Sequence, residues 1–451
     1  MIEKILIANR GEIAVRIIRA CRELNIRTVA VCSTADRRCL HAQIADETVC
    51  IGAPAAKDSY LDMNAVIQAA LQTKADAIHP GFGFLSENAD FAQKCIDNGI
   101  IFIGPRPEAI RALGDKAEAK RTMKNAGVPV IPGSDGAITD VNEAYRLAEE
   151  MGYPVMIKAS AGGGGKGIRR VDNRDDLEAA ITAASQEALV NFGDSSVYME
   201  KLILNPKHIE FQILADKYGN VVHLGERDCS MQRRNQKVLE ETPSPIMTPA
   251  LREKMGHAAV AAAISSGYSS AGTIEFLVDK DKKFYFMEMN TRIQVEHPIT
   301  EEVTGIDLIK AQINIADGKR LEINQGDIRL TGHSIECRIN AEKPSDNFRP
   351  SPGTVTVLHF PGGPGIRIDS AIYQGYTIPP YYDSMIAKVI VHAQSRPEAI
   401  VKMKRALAEF IVDGVDTNID FDLSLIRDPV FEKGDYDNNY LTRKLEKDQN
   451  K

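Results

Sequence analysis

At 451 residues, with 43% hydrophobic and 26% charged side chains, the chain has ordinary globular composition and is too long for one core, so two to four domains are expected. A formal net charge of −7 argues against general nucleic-acid binding, and any anionic ligand must meet local basic groups. No apolar run reaches about 18 residues, which argues against a membrane-spanning helix, and no C-x-x-C pair occurs among the seven cysteines, which argues against zinc-ribbon and thioredoxin folds.

Those cysteines, Cys21, Cys32, Cys39, Cys50, Cys95, Cys229 and Cys337, are scattered, as suits free thiols in a reducing cytosol. The opening stretch, broken by Glu3, Lys4 and Arg10, lacks a signal-peptide core, so a cytoplasmic protein is expected. Lys4–Ala8 reads as a strand, and Gly11–Glu23 follows with helical spacing at Ile13, Ile17, Ile18 and Ala20. Strands at 27–32, 77–79 and 101–103 alternate with helices at 60–71 and 89–98, the pattern of an open parallel sheet ending near Gly114. Asn9-Arg10-Gly11-Glu12 has one glycine where a dinucleotide site carries three, which disfavours an oxidoreductase. The loop Pro80-Gly81-Phe82-Gly83-Phe84 reads first as a turn, with glycines that would let backbone approach a ligand.

A polar helix over 115–125 and a Pro/Gly-rich linker over 129–136 lead to a strand, 154–159, that carries Lys158. It runs into Gly162–Gly167. That run fails the P-loop pattern, because Ser160 stands where its first glycine belongs and Gly167 where Ser or Thr is required. Ile168–Val171 looks like a strand, so strand, glycine loop and strand form an expected flap able to lay backbone N–H groups over phosphates. Residues 197–204 are extended and include Glu200 and Lys201; strands follow at 208–214 and 221–226, and lone His208 reads as structural. Arg227–Lys237 places four cations in eleven residues around Gln232 and Gln236, read as the lining of an anion pocket.

After a helix starting at Thr248-Pro249, the apolar runs 273–278 and 284–289 flank a polar turn and form an expected β-hairpin. Centred between Asp281 and Lys282, it sets Glu275 opposite Glu288. Like charges so placed cost about 0.2–1 kcal/mol, a penalty a cation removes. Period two then puts Glu288, Asn290, Arg292, Gln294 and Glu296 on one face, and Met287, Met289, Thr291, Ile293 and Val295 on the other. The first face suits a metal, an anion and a proton acceptor better than a core. A helix over 306–316 closes this unit. Beyond residue 331 the texture is α+β: strands at 333–341 (with Arg338), 354–359 and 385–392, the loop 379–384, and an amphipathic helix over 396–410. Lys402-Met403-Lys404 lies inside that helix and so does not read as a biotin-acceptor turn. Domains are expected at 1–114, at 115–330 with a mobile flap near 131–204, and at 331–447.

Seven stretches, KILIANRGEIAVRIIRA, HPGFGFLSEN, MIKASAGGGGKG, ERDCSMQRRNQK, FMEMNTRIQVEHP, ECRINAE and PPYYDSM, occur in the order that resembles the biotin carboxylase family, found in acetyl-CoA and pyruvate carboxylases. The resemblance spans nearly the whole chain. It implies an N-terminal open parallel α/β sheet, a central ATP-grasp fold with a glycine-rich flap and a C-terminal α+β domain. The implied reaction is ATP-dependent carboxylation of biotin on a carrier protein by bicarbonate, through carboxyphosphate, as the first half-reaction of acetyl-CoA carboxylase. The alternative is the same role in a pyruvate or other acyl-CoA carboxylase. It also implies magnesium or manganese, a biotin carboxyl carrier protein and carboxyltransferase subunits as partners, and a homodimer formed through the N-terminal sheet region.

By resemblance, Lys116 and Lys158 meet ATP phosphates beneath Gly164 and Gly165, and Glu200, Lys201, Ile203 and His208 contact adenine and ribose, with Gln232 and Asn235 near the nucleotide. Glu275, Glu288 and Asn290 are the implied metal ligands. Lys237, Arg292, Gln294 and Val295 form the implied bicarbonate pocket, with Glu296 as base and Arg338 facing the biotin ureido oxygen. Asn235 replaces a histidine of some members, and Ala161 and Lys166 alter the flap. Two rival readings are another ATP-grasp ligase, such as a carbamoyl-phosphate or amino-acid ligase, and a non-catalytic nucleotide-sensing module.

Overall fold

The apolar run at the chain start forms β1 (Lys4–Ile7), the centre of a five-stranded parallel sheet. Its other strands are β2 (Arg27–Ser33), β3 (Glu47–Gly52), β4 (Ala77–His79) and β5 (Ile101–Phe102), in the order β3-β2-β1-β4-β5. The structure, a computed structural model, describes residues 1–159 and 168–449; the glycine loop, with Ala161, Gly164, Gly165 and Lys166, lies outside the described residues. β3 is an edge strand whose positions are exposed or half-buried apart from buried Ile51, so it shows no sustained apolar run. The helix expected from residue 60 starts at Met63, because Asp62 accepts hydrogen bonds from the Asn64 and Ala65 amides and caps it.

Strand order reverses between β1 and β4, and a crevice forms outside their carboxyl ends, where open α/β sheets bind ligands. Asn9, after β1, donates through Nδ2 to the Pro80 and Phe82 carbonyls at 2.7 Å each, which ties the two loops together. Gly81 has φ +62°, and a Cβ there would stand 2.9 Å from Asn9 Nδ2, so this turn requires glycine.

A small antiparallel sheet follows, β6 (Val155–Ala159), β7 (Ile168–Val171) and β8 (Val197–Lys201), in the order β7-β6-β8. With the helices Val141–Met151 and Leu177–Phe192 it encloses its own core of Ala144, Val155, Ile157, Leu177 and Met199.

The largest sheet has eight strands. They are β9 (Lys207–Ala215), β10 (Val221–Arg233), β11 (Gln236–Thr242), β12 (Ser270–Val278), β13 (Phe284–Asn290), β14 (His333–Asn340), β15 (Ile366–Ser370) and β16 (Met385–Ala393). Their order is β13-β12-β9-β10-β11-β14-β16-β15, so one sheet continues through residues on both sides of 331. β10 runs well past the expected Glu226. Its polar stretch Glu226–Ser230 is buried, with its charges paired, which no apolar pattern signals. The expected strand 354–359 is split: Gly353–Thr354 pairs with Thr377–Ile378, and Val357–His359 pairs with Ile411–Asp413.

The β12–β13 hairpin sets Glu275 opposite Glu288, as counted from its turn. The register shifts between Glu275 and Phe276, leaving Met287 as an extra residue in β13. Without this bulge Phe284, Phe286 and Glu288 would share a face. With it the two phenylalanines enter the core under the helix Pro249–Ser265 while Glu288 turns to the opposite face. At the centre of that core Phe276, fully buried, packs edge-on against Phe211 and Phe284, with ring centroids 6.2 and 5.4 Å away. Among the described residues no helix is long and apolar enough to cross a membrane. Phe276→Ala is expected to cost about 3–5 kcal/mol, read as a lowered urea midpoint.

Candidate active site

A cleft of about 980 Å³ opens where the switch point of the first sheet faces the large sheet. The loops after β1 and β4 form one wall. The floor comes from β9–β13, the segment after β13, and β14; Tyr381, Tyr382 and Asp383 close the far end.

At the centre of the floor Lys237, on β11, touches three carboxylates. Its Nζ lies 2.6 Å from Glu210 Oε2, 3.0 Å from Glu275 Oε1 and 2.6 Å from Glu296 Oε1. Burial alone would lower the ammonium's pKa; Glu210, Glu275 and Glu296 outweigh it and hold the group well above the usual lysine value. Glu275 shows the reverse: burial pushes its carboxyl up, and Lys237 with His208 pulls it well below the usual range. His208 Nε2 is 2.9 Å from Glu275 Oε2, and its Nδ1 faces Gln232 Nε2 at 3.0 Å, so this histidine belongs to the site. Beneath them Arg227, fully buried, donates to Glu210 Oε1 at 2.6 Å, Gln212 at 2.7 Å, Thr300 at 2.9 Å and Gln294 at 2.5 Å.

The basic stretch therefore does not act as one anion pocket. Arg227 is a buried strut, Arg233 lies over the Phe348 ring with its carbon 3.9 Å from the centroid, and Arg234 reaches Asn347. Of the four cations, Lys237 alone borders the cleft, beside Gln232, Asn235 and Gln236. Asn235 has φ +64° in the tight β10–β11 turn, a conformation asparagine tolerates.

The extended run expected through 296 ends at Asn290; residues 291–294 are bent, irregular chain, 295–296 form a turn, and a helix starts at His297. Asn290, Arg292, Gln294 and Glu296 nevertheless all border the cleft. The strict two-face division fails, because Met287 and Val295 border it too, through the bulge and the turns, while Met289 and Ile293 are buried in two different cores. Arg292 donates from Nε to Glu87 Oε2 at 2.9 Å and from Nη2 to Asn290 Oδ1 at 2.9 Å. Sequence reasoning gave Glu87, in the HPGFGFLSEN stretch, no role. A single acid in the otherwise uncharged run 80–89 was the available signal.

Glu296 is gripped twice, by Lys237 and by Arg338 Nη2 at 2.9 Å from Oε2. Burial raises its pKa, yet Lys237 and Arg338 hold it below the usual carboxylate value against the opposing charge of Glu210. Arg338 Nε also donates to Glu240 Oε1 at 2.7 Å. Burial pushes Glu240 up to about 7 despite Arg338, with Glu296 adding to the rise. A register shift in the β10–β11 pair leaves Val238 as an extra residue, which brings Glu240 to the same side as Lys237. An alternating pattern puts them on opposite faces, so sequence reasoning missed Glu240, and it missed Glu210 within an otherwise apolar strand.

For a divalent cation, Glu275 and Glu288 are the fitting donors. Both carboxylates border the cleft in direct register, and Glu288 is raised by burial and by Glu275, with Lys116 opposing. Hard oxygen donors suit magnesium or manganese. Asn290 fits less directly: its Nδ2 donates to Glu275 at 2.8 Å and its Oδ1 accepts from Arg292.

Among the described residues, Lys116, Lys158, Glu200, Lys201 and Ile203 lie off the cleft's lining. Lys158 and Lys120 both bind Glu200, at 2.7 and 2.9 Å, and lower its carboxyl against burial. Lys201 turns its ammonium to the Gly152 and Tyr153 carbonyls at 2.7 and 3.2 Å. Ile203 is half-buried in the segment between β8 and β9.

Three family models lie end to end on the chain. Residues 1–110 match the biotin carboxylase N-terminal domain, residues 115–324 the ATP-binding domain of the carbamoyl-phosphate synthase L chain, and residues 336–443 the biotin carboxylase C-terminal domain. Biotin carboxylase 1 of Bacillus subtilis (strain 168) is 57% identical over 442 residues, covering 98% of each chain. A pyruvate carboxylase subunit of Methanothermobacter thermautotrophicus is 54% identical over 441 residues, covering 98% of this chain and 90% of that one. Among solved structures, the biotin carboxylase domain dimer of Hydrogenobacter thermophilus 2-oxoglutarate carboxylase, in complex with MgADP, ADP and bicarbonate, is similar with a TM-score of 0.89, at 52% identity over 98% of each chain. Biotin carboxylase from Campylobacter jejuni, as a β-γ-ATP complex, gives 0.91 at 51% identity, covering 98% of this chain and 99% of that one. With all three regions matched in order and over half the residues shared along nearly the full length, the chain belongs to the biotin carboxylase family.

Proposed function

We propose that this cleft activates bicarbonate with ATP and passes its carboxyl group to biotin on a carrier protein, giving N-carboxybiotin, ADP and phosphate. The observation that carries the reading is Glu296, a buried carboxylate kept ionised between Lys237 and Arg338 in the same cleft as the facing acids Glu275 and Glu288. A merely nucleotide-sensing module has no use for such a base.

Bicarbonate is a weak electrophile, so its oxygen must first take the γ-phosphoryl group of ATP. Glu275 and Glu288 would hold the magnesium or manganese ion, which supplies neutralisation of charge on the transferred phosphoryl group. Lys116, which already acts on Glu288, and Lys158 stand as the phosphate cations, and the unit over 131–204 as the flap above them. Arg292, with Nε on Glu87, Nη1 on the Ile293 carbonyl and Nη2 on Asn290, keeps one further N–H on each Nη for a bicarbonate oxygen. Glu296 is positioned to accept the bicarbonate proton, and the cations beside it keep its pKa below working pH. Carboxyphosphate breaks down to carbon dioxide and phosphate, the phosphate takes the ureido proton of biotin, and Arg338 stabilises the resulting enolate oxygen.

The reading extends to a homodimer, as in the H. thermophilus relative, and to a separate carrier protein and carboxyltransferase. Seven free thiols support a cytoplasmic location. Acetyl-CoA is the proposed final acceptor; the M. thermautotrophicus relative supports pyruvate as the second reading.

The function is tested by phosphate release from ATP. Release that requires both bicarbonate and free biotin is expected, and release indifferent to biotin contradicts the proposal. Glu296→Ala and Arg338→Ala are each expected to retain ATP binding by calorimetry while biotin-dependent release falls about 10²–10³-fold; full turnover in Glu296→Ala removes the base assignment. Glu240, raised in the folded state, binds its proton more tightly there than in the unfolded chain. Its stabilising contribution is complete below about pH 4.5 and is lost as pH rises through about 7. Glu240→Gln is therefore expected to flatten the decline of the urea midpoint across that window.

A further inference from the structure

Lys388, on β16, is fully buried, and the proposed mechanism does not use it. A buried ammonium costs several kcal/mol unless partners satisfy it, so its contacts carry information. Its Nζ donates to the Val295 carbonyl at 2.8 Å, lies 3.2 Å from Glu12 Oε1 and stands 3.9 Å from Asp369 Oδ2. Burial lowers its pKa, but Glu12, Glu336 and Asp369 together raise it, so the group stays charged.

Its place in the sheet gives these contacts a purpose. Lys388 sits directly opposite Arg338 on the neighbouring strand. Like charges in that position repel, and separate acids keep the two apart: Glu240 and Glu296 on Arg338, Glu12 and Asp369 on Lys388. The two side chains then converge on one dipeptide. Arg338 holds the side chain of Glu296, and Lys388 holds the carbonyl of the residue before it. That carbonyl belongs to the Val295–Glu296 peptide, which is planar, so fixing its oxygen also fixes the Glu296 N–H and Cα, the point from which the side chain leaves the backbone. Residues 291–296 lie outside any strand, so no sheet ladder sets this plane. Glu12 comes from the N-terminal unit, Val295 from the segment after β13, and Lys388 and Asp369 from the C-terminal region; the ammonium is where they meet.

We propose that Lys388, with Glu12 as its counter-ion, is a positioning residue for the one-carbon substrate, orienting the Val295–Glu296 peptide so that Glu296 meets bicarbonate. This rests on the reading of the cleft as a carboxylation site. It predicts an effect confined to bicarbonate, because the nucleotide contacts lie on other elements.

The test is steady-state kinetics of wild-type enzyme and three variants with bicarbonate and ATP varied separately, alongside melting temperatures. Lys388→Met leaves Glu12 buried without its cation, so the paired variant Lys388→Met/Glu12→Gln removes both charges and separates folding from function. With native-like melting, that double variant is expected to lose about 10²-fold in kcat/KM for bicarbonate, as for a reacting group misplaced by about an ångström, while KM for ATP stays within about threefold. Wild-type bicarbonate kinetics in the double variant, or KM values for bicarbonate and ATP that rise by the same factor, overturn the proposal. Lys388→Arg keeps the charge and decides the matter if the neutral variants do not fold: a raised bicarbonate KM at unchanged ATP KM is expected, and wild-type values for both overturn it. A wild-type enzyme without bicarbonate-dependent phosphate release would instead remove the underlying reading of the cleft.

Discussion

Carboxylates crowded into a protein interior stay ionised only if cations stand between them, and the cleft floor depends on this constraint. Glu210, Glu275 and Glu296 meet at one ammonium, Lys237, while Arg227 supports Glu210 from below and Arg338 holds Glu296 from the side. A buried ion pair is often no more stabilising than well-packed apolar side chains, whereas breaking one costs about 3–5 kcal/mol. The array is therefore poorly explained as a device for stability. It is well suited to a site that must keep a base ionised and still receive a divalent cation and two anions. Glu240, pushed up to about 7, marks where the available positive charge runs out.

The scaffold brings distant segments to this floor partly through two of the register shifts in the large sheet. The bulge at Met287 lets β13 send Phe284 and Phe286 into the core and Glu288 into the cleft, and the bulge at Val238 puts Lys237 and Glu240 on one side of β11. The large sheet then runs from the hairpin acids at one edge to β16, so the acids Glu275 and Glu288 and the cation Arg338 share one rigid support. The first sheet supplies the opposite wall through its switch point and reaches across with Glu87 to orient Arg292.

Much of this was legible in the sequence because it followed from local counting. The hairpin register came from the position of its turn, and the open parallel sheet from alternating apolar runs. What escaped depended on tertiary context. The polar middle of β10 is buried because Arg227 finds Glu210, Gln212, Thr300 and Gln294, partners that lie 15 or more residues away. Glu240 escaped because a bulge breaks the period of two, and the run 290–296 reads as extended although bent chain and a turn present the same side chains. His208 has the sequence context of an ordinary core histidine, and only the fold brings Glu275 to 2.9 Å from it. The Lys201 ammonium is spent on the Gly152 and Tyr153 carbonyls, a pairing that no local count indicates.

The central claim is that one ammonium organises three buried acids into a working site. It is tested most directly by biotin-dependent phosphate release from Lys237→Met, with folding monitored by circular dichroism. A folded variant whose turnover falls by at least about 10²-fold is the predicted result, since a preorganised charge beside the reacting groups is lost. A folded variant releasing phosphate at the wild-type rate would contradict it.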